Sequence, residues 1–442
     1  MDEVKNKKHF SETETRNRAS GEHWRVEERG PRENAVEPEA IRRGRERHSA
    51  KRRIFWGIDM AFFWLLTGVP FLYLLFRIIR PFHYFKWRKV AAAVVLFAVA
   101  FKFQILRCFA GPKFFAPELP GWLMVLSSWV FVAFLFFFVL MVATDILLAG
   151  QWLLRKALHL YAGKFPPRFN KGYLFVLLTV AFLFSSWGMI CAKQPPEVRK
   201  QDLRWSGLPP ELNDLRIVLL ADLHVDKLST RDEIAEVVRR TNALRPDLIA
   251  IAGDFADGTV AQLGDKLEPL RELRAAYGVF GVPGNHEYYS GYDEWMKFLR
   301  SLGIRMLENE HVMLVSDKLA LGGITDPAAK IRKREVPDVA KAFAGTPDGA
   351  FKLLLAHQLK DTRTAAGYGV DLQLSGHTHG GMIVGLDGII ALLNHGFVSG
   401  EYRVEGEKEM RLYVSRGTSL WKGFPVRLGV PAEITCLTLR GK

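Results

Sequence analysis

The chain has 442 residues, of which 49% are hydrophobic and 24% are charged, and its formal net charge is +14. Such a mixture excludes one uniform soluble domain, because an apolar part and a polar part must lie in different segments. Three cysteines exclude a disulfide scaffold. The excess of Lys and Arg favours either an anionic partner or the flanks of membrane spans.

Residues 1–53 form a charged tail that is poor in apolar residues and ends in a basic cluster, Arg42 to Arg53. The tail has too little hydrophobic surface to offset the entropy of ordering, so we expect disorder. The basic cluster could bind nucleic acid. Its position directly before an apolar run favours the alternative, a signal for membrane topology.

Residues 54–192 hold four long apolar stretches and are predicted to be a polytopic membrane anchor. Because about 20 helical residues cross the hydrocarbon layer, three of the stretches have sufficient length. The second is weaker, since Lys102 interrupts it. Asp59 and Asp145 lie inside or beside apolar runs, where a carboxylate is a candidate functional residue. We expect Asp145 to be interfacial, because it is close to a span end, and Asp59 to have a structural or interfacial role. The predicted spans are Ile54–Phe76, Val90–Leu106, Gly121–Leu148 and Leu174–Ala192.

Residues 193–442 change to short β-branched and Leu-rich runs that alternate with amphipathic segments. Mixed strands and helices of this number predict one α/β domain with an internal sheet sandwich. Predicted helices cover Arg231–Ala243 and Asp293–Leu302. Predicted strands cover Leu215–Ala221, Asp247–Ala252, Gly278–Val282, Val312–Val315, Leu319–Gly322, Lys352–Ala356, Asp371–Leu374, Arg411–Val414 and Glu433–Leu439.

Bursts of metal-binding residue types follow five of the predicted strands, and glycines precede three of the bursts. In α/β sheets, sites form where loops leave the carboxyl ends of strands, so the bursts should converge. Glycine permits the close backbone approach that a crowded metal loop requires. The bursts contain Asp222, His224 and Asp226; Gly253, Asp254 and Asp257; Gly284, Asn285, His286 and Glu287; His357; and Gly376, His377, His379, Gly380 and Gly381.

The donor types select the metal. Carboxylate and amide oxygens with imidazoles, and no thiolate, suit Mn, Fe, Co or Zn. The number of donors exceeds what one ion takes, so two divalent or trivalent ions, about 3.5–4 Å apart, are expected.

The order D-x-H, G-D-x-x-D, G-N-H-E, isolated H and G-H-x-H resembles the calcineurin-like metallophosphoesterase superfamily. The strings Leu353–Gln358, Leu374–Gly381 and Leu412–Gly417 are similar to a membrane-anchored branch of it. The resemblance covers Arg216–Leu439 and implies a four-layer α/β sandwich of two mixed sheets flanked by helices. One departure is Met382, where the branch would carry Gln, which puts substrate contacts in doubt but removes no ligand.

The resemblance also implies roles for the site residues. A water between the two ions would attack phosphorus, His286 would donate toward the leaving group, and Asp257 would orient that imidazole. The first ion would be held by Asp222, His224, Asp254 and His379, and the second by Asp254, Asn285, His357 and His377. Glu287 receives no role.

Other polar residues near the motifs receive weaker interpretations. Asp226 is expected to be a loop residue rather than a ligand. His311 and His395 are expected at the surface or in packing. Tyr288 and Tyr289 could wall a substrate cleft or belong to the core.

The predicted function is a membrane-bound phosphoesterase that hydrolyses a phosphodiester or pyrophosphate, in a lipid or envelope precursor. The partners would be the lipid bilayer and a phosphorylated small-molecule or lipid-linked substrate. The alternatives are a phosphomonoesterase acting on proteins or nucleotides, and a catalytically silent binding module. A nucleic-acid enzyme is disfavoured by the anchor.

The positive charges on the predicted loops bear on topology. Four spans would place the tail and the enzyme on the same side of the membrane. The positive-inside rule is strongest for short loops, and the first and third loops are rich in Lys and Arg. They favour an extracytoplasmic catalytic domain, whereas the basic cluster of the tail favours the opposite.

Overall fold

A computed structural model describes residue 64 and residues 67–79, 85–110, 117–160 and 169–442. The predicted tail, Asp59 and the first part of the predicted first span lie outside the described residues. The apolar part of the described chain forms helices α1 to α5, which cover Thr67–Ile79, Lys86–Ala100, Lys102–Ala110, Gly121–Ala157 and Lys171–Ala192. Among the described residues, α4 and α5 are each long and apolar enough to cross a membrane.

The predicted second span is not one continuous helix. Helices α2 and α3 meet at Phe101 with a bend of 73°. The bend turns the Lys102 ammonium toward Ser128 of α4 and the Gly423 carbonyl, with distances of 3.1 and 3.3 Å from its Nζ. An ammonium in an apolar segment needs polar partners, and the bend at Phe101 allows Lys102 to reach two of them. Lys102 is also the residue that made the prediction of a continuous second span weaker. The bent pair corresponds to a broken span or a re-entrant loop.

Asp145 pairs with residues of α1, and its expected interfacial position stays a prediction. Its carboxylate accepts hydrogen bonds from the Arg77 guanidinium, at 2.8 and 2.9 Å, and from the Tyr73 hydroxyl at 2.7 Å. The bidentate contact connects α1 to α4.

Twelve strands of the described chain form two mixed sheets of six. The first sheet has the order β1-β12-β2-β3-β4-β5 and the second β10-β11-β9-β8-β7-β6. In the first, β2 to β5 run parallel; in the second, β11, β9, β8 and β7 do. The strands β1 to β12 cover Glu197–Trp205, Arg216–Leu220, Leu248–Ala252, Val279–Val282, Arg305–Met306, Glu310–Leu314, Leu319–Gly323, Phe351–Leu355, Leu372–Ser375, Gly400–Val404, Met410–Val414 and Glu433–Gly441.

The two sheets pack face to face and carry helices on their outer faces. Along β2, Ile217 and Leu219 enter the core between the sheets, whereas Val218 and Leu220 pack against the outer helices. This alternation follows from the two-residue period of a strand. A third cluster, which includes Leu354 and Leu412, covers the outer face of the second sheet. The four-layer α/β sandwich is confirmed.

The remaining helices complete the outer layers. They are α6 to α12, at Arg231–Ala243, Val260–Leu267, Asn285–Ser290, Tyr292–Ser301, Val339–Ala342, Thr362–Gly367 and Asp387–Leu393. The helix predicted at Arg231–Ala243 has these bounds, and Thr230 and Glu233 form a capping box at its start. The predicted domain boundary at residue 193 falls between α5 and β1 and stays a prediction.

Candidate metal centre

The polar bursts converge at the carboxyl ends of the parallel strands. Asp222 and His224 follow β2, Asp254 follows β3, and Asn285 follows β4 of the first sheet. His357 follows β8 of the second sheet, and His377 and His379 follow β9. The candidate metal centre therefore lies at the edge where the parallel strands of both sheets end.

The residues predicted to hold the first ion face one another. The Nε2 atom of His224 lies 3.9 Å from the Asp222 carboxylate and 3.5 Å from Oδ2 of Asp254. The Nε2 atom of His379 lies 3.9 Å from the Asp222 carboxylate. Ligand atoms of Asp222, His224 and His379 all lie within 4.8 Å of one another.

The residues predicted to hold the second ion meet around His357. Its Nε2 atom lies 3.2 Å from Oδ2 of Asp254 and 3.1 Å from Oδ1 of Asn285. The Nδ1 atom of His377 lies 3.3 Å from the same nitrogen. Because Asp254 contacts both groups, its position is that of a bridging carboxylate.

The arrangement fits metal ions. Nδ1 of His224 is held by Asp257, and Nδ1 of His357 by the Ala252 carbonyl, at 2.7 Å, so both Nε2 atoms turn toward the carboxylates. Nε2 of His224 is buried with no hydrogen-bond partner in the described part of the chain. A buried, unsatisfied imidazole nitrogen beside two carboxylates is a donor that a metal would satisfy.

Backbone strain is concentrated at the site. Five of the seven predicted ligands have a positive φ, between 42° and 74°: Asp222, His224, Asp254, His377 and His379. Residues other than glycine rarely adopt this conformation, and each costs on the order of 1–3 kcal/mol. The surrounding packing holds them in this conformation. A Cβ at Gly284 would lie 2.1 Å from Oδ1 of Asp254, so the loops that follow β3 and β4, here called the two metal loops, touch there.

Asp257 orients two imidazoles rather than one. It lies 2.5 Å from Nδ1 of His286 and 3.1 Å from Nδ1 of His224. Burial raises the pKa of Asp257, but the charges of His224 and His286 outweigh burial and hold its pKa below the usual range. Burial lowers the pKa of His286, and the charges of Asp254 and Asp257 outweigh it and raise that pKa to about 9.

His286 also lies near the predicted ligands. Its Nε2 atom is 3.9 Å from Oδ2 of Asp254, and His224, Asp254 and His286 form a third group of closely spaced donors. The geometry thus permits either a proton donor or a ligand at this position.

Glu287 connects the two metal loops through the backbone. Its buried carboxylate accepts hydrogen bonds from the N–H groups of Gly284 at 2.8 Å and of Phe255, Asp254 and Ala256 at 2.8, 3.1 and 3.3 Å. Burial and the Asp254 charge raise the pKa of Glu287 to about 7, and the hydrogen bond from Gly284 opposes the rise. The sequence motif contained Glu287 but gave no sign of this function.

The other polar and aromatic residues named in the sequence analysis lie in different environments. Asp226 accepts hydrogen bonds from Leu228 and Ser229, within its own loop. Tyr288 is buried and stacks on Tyr292 at 4.2 Å, whereas the Tyr289 ring lies 5.5 Å from that of His286. His311 packs against Phe343, and His395 is exposed.

The sequence did not predict two residues that lie near the site. The Trp421 ring lies 6.3 Å from the His286 ring. The buried Arg427 guanidinium donates to the carbonyls of Arg416 and Ser419, both at 2.7 Å, and of His379 at 3.3 Å. Both residues follow β11 at positions without a local motif, so only the tertiary structure reveals them.

Comparisons of the sequence with known proteins find metallophosphoesterases. A model of the calcineurin-like phosphoesterase family matches residues 215–381. The Bos taurus "transmembrane protein with metallophosphoesterase domain" is 37% identical over 274 residues, which cover 59% of this chain and 61% of that protein. The chain therefore matches about three fifths of that relative.

One bacterial relative and one solved structure are also similar to the chain. An uncharacterized metallophosphoesterase of Helicobacter pylori is 34% identical over 274 residues, 62% of this chain and 72% of that protein. Among solved structures, the NAD nucleotidase of Haemophilus influenzae has a TM-score of 0.34 at 16% identity, over 46% of this chain and 51% of that chain.

Proposed function

The chain belongs to the calcineurin-like metallophosphoesterase family, and from that premise we propose that it hydrolyses a phosphodiester or pyrophosphate of a lipid-linked or envelope precursor. The observation that supports hydrolysis is the convergence of two buried carboxylates and four imidazoles at the strand ends. The two long apolar helices support a substrate at the membrane.

The donor set divides into two groups that share Asp254. Asp222, His224 and His379 would complete the first, and Asn285, His357 and His377 the second. Ions of Mn, Fe, Zn or Co, when bound, would neutralise phosphate charge and activate water for attack on phosphorus.

Residues of the chain would donate the proton to the leaving group and orient the imidazoles. Asp257 accepts from Nδ1 of His286, which leaves Nε2 of that imidazole to donate toward the leaving-group oxygen. The same carboxylate fixes His224, so proton donation and one ligand depend on a single residue. Trp421 and Tyr289 would border the substrate beside His286.

The experiment is hydrolysis of bis-p-nitrophenyl phosphate by the detergent-purified full chain, with Mn²⁺, with chelator, and with the His286→Ala variant. We expect turnover that requires metal and is largely lost in the variant. Turnover only on p-nitrophenyl phosphate would replace the diesterase by a phosphomonoesterase. No turnover and no bound metal would favour the silent binding module.

We also propose a multi-pass protein with an extracytoplasmic catalytic domain, on the charge of the short loops. A reporter fused after residue 442 should then be accessible from outside intact cells. A reporter that is reached only after permeabilisation would place the domain in the cytoplasm.

A further inference from the structure

One catalytic-domain loop joins the metal centre to the membrane helices. Trp421 in the loop after β11 lies beside His286 and also stacks on Phe103 of α3, with ring centroids 5.5 Å apart. Trp421 and Phe424 pack against the apolar cluster that contains Phe103 and Phe131. The Trp421 ring therefore lies between helix α3 of the bent pair and His286 of the site.

Lys102 brings a positive charge to this junction. It is 8% exposed, and its ammonium donates to Ser128 and the Gly423 carbonyl, with Nζ 4.7 Å from the Phe103 ring centroid. Both acceptors are neutral oxygens, so these bonds leave the charge of the ammonium uncompensated. An ionisable residue placed at such cost in an apolar segment indicates a function.

A crevice runs between these elements. Leu106, Met124 and Lys102 line it on the membrane side, and Trp421, Lys422 and Asp257 on the catalytic side. Its cavity volume is about 30 Å³, so the crevice is a narrow cleft, and it is not enclosed. Asp257 contacts His286, so the crevice leads from apolar helices to the proposed proton donor.

We propose that this crevice binds the apolar chain of a lipid-linked phosphate substrate, with Lys102 and Lys422 attracting its anionic phosphate. The inference rests on the proposed phosphoesterase function and adds the means of recognition. The chain lies against Leu106 and Met124, and the phosphate reaches the metal centre from the membrane side, past Trp421. No chemical step is added to the hydrolysis.

The test compares two diesters with the same leaving group, ethyl and hexadecyl p-nitrophenyl phosphate, on the full chain at one detergent concentration. We expect kcat/KM to be at least about tenfold higher for the hexadecyl ester, the effect of burying about two methylene groups. Leu106→Trp should lower kcat/KM for the hexadecyl ester more than for the ethyl ester, and so reduce that preference. Leu153→Trp, on the exposed face of α4, is the matched control and should keep it.

Lys102→Met should lower kcat/KM for the hexadecyl ester more than Lys86→Met, and Lys102→Arg should restore part of it. Equal turnover of both esters by the wild type, or an unchanged preference in Leu106→Trp, would overturn the crevice. If neither ester is cleaved, the proposed function fails, and binding of hexadecyl methylphosphonate tests the crevice separately. Weaker binding by Leu106→Trp would support it, and equal binding would refute it.

A different observation concerns helix α12 and the residues before it. Val384, Ile389 and Leu392 are 70%, 59% and 82% exposed, an unusual run of bare apolar side chains on a catalytic domain. The Val384 N–H donates to the Leu428 carbonyl at 3.0 Å. Residues 426–428 in turn pack on α5, where a Cβ at Gly188 would lie 2.6 Å from Val426 and 3.4 Å from Leu428.

Gly188 lies four residues, about 6 Å, before the end of α5. Trp187 and Ile190 beside it are 61% and 53% exposed, as lipid-facing side chains of a span would be. From this continuity with the span we infer that α12 rests in the bilayer interface, beside the loop that carries His379.

The test uses a nitroxide attached at Leu392→Cys in nanodiscs, with Cys108 and Cys191 replaced by Ser. Tyr368→Cys, on the exposed end of α11, is the control. We expect the label at position 392 to favour collision with oxygen over a water-soluble nickel chelate, and the label at position 368 to show the reverse. The same accessibility ratio at both positions would refute the contact.

Discussion

The backbone N–H of Arg427 donates a hydrogen bond to the carbonyl oxygen of Gly188, at 3.0 Å. The catalytic domain is thus bonded directly to α5, the second of the two long apolar helices. The Arg427 side chain continues the connection, since its guanidinium donates to the carbonyl of the predicted ligand His379. One residue therefore contacts both the membrane helix and a metal loop.

Gly188→Leu should disturb the contact between α5 and the segment that contains Arg427. A Cβ at this position would lie 2.6 Å from Cγ1 of Val426, so a larger side chain must displace the segment 426–428, which contains Arg427. We expect destabilisation of about 1–3 kcal/mol, measured as a lower thermal midpoint in detergent. Gly150→Leu, in α4 with open space around the position, is the control. Equal shifts in the two variants would contradict the contact.

Glu287→Gln should weaken metal binding without removing a ligand. The amide offers one acceptor oxygen where the carboxylate offers two, and its NH₂ group would face backbone donors of the two metal loops. We expect about 10- to 100-fold weaker Mn²⁺ binding by calorimetry. Glu294→Gln, at an exposed position of α9, should bind as the wild type does. An unchanged Kd for Mn²⁺ in Glu287→Gln would show that Glu287 does not support metal binding.

The sequence predicted the strand-end residues well because each motif is local. The predicted strand Asp247–Ala252 and the observed β3 differ by one residue, and the predicted ligand Asp254 follows two residues later. Strand β1 was missed, since Glu197, Arg199 and Lys200 give it the pattern of a polar loop. It is an edge strand whose partner, β12, is the last strand in the chain, so only a long-range pairing defines it.

The same limit explains the other omissions. A hydropathy pattern predicts apolar length, but the 73° bend at Phe101 depends on where Lys102 finds oxygens, and one of them belongs to Gly423, 321 residues away. The functions of Glu287 and Arg427 likewise depend on backbone groups brought together by the fold. Backbone groups carry no sequence signature.

Asp257→Asn should affect both rate and metal. The carboxylate contacts Nδ1 of His224 and of His286, and an amide cannot accept from both imidazoles as well. We expect about a hundredfold lower kcat on bis-p-nitrophenyl phosphate and about tenfold weaker Mn²⁺ binding. Asp371→Asn, a buried carboxylate just before β9 and so at the opposite end of that strand from His377, should change neither by as much. A loss of rate with unchanged metal affinity would limit Asp257 to His286.

Asp254→Asn and His286→Ala should separate ligand from proton donor. Asp254 lies within 3.5 Å of His224 and 3.2 Å of His357, so its loss should abolish tight binding of both ions. His286→Ala should retain the metal and lower the rate by about 10²–10⁴, the usual contribution of a general acid. Metal content of the purified variants, by mass spectrometry, decides between the roles. Because His286 also lies within the third donor group, an equal fall in metal content in both variants would make it a ligand.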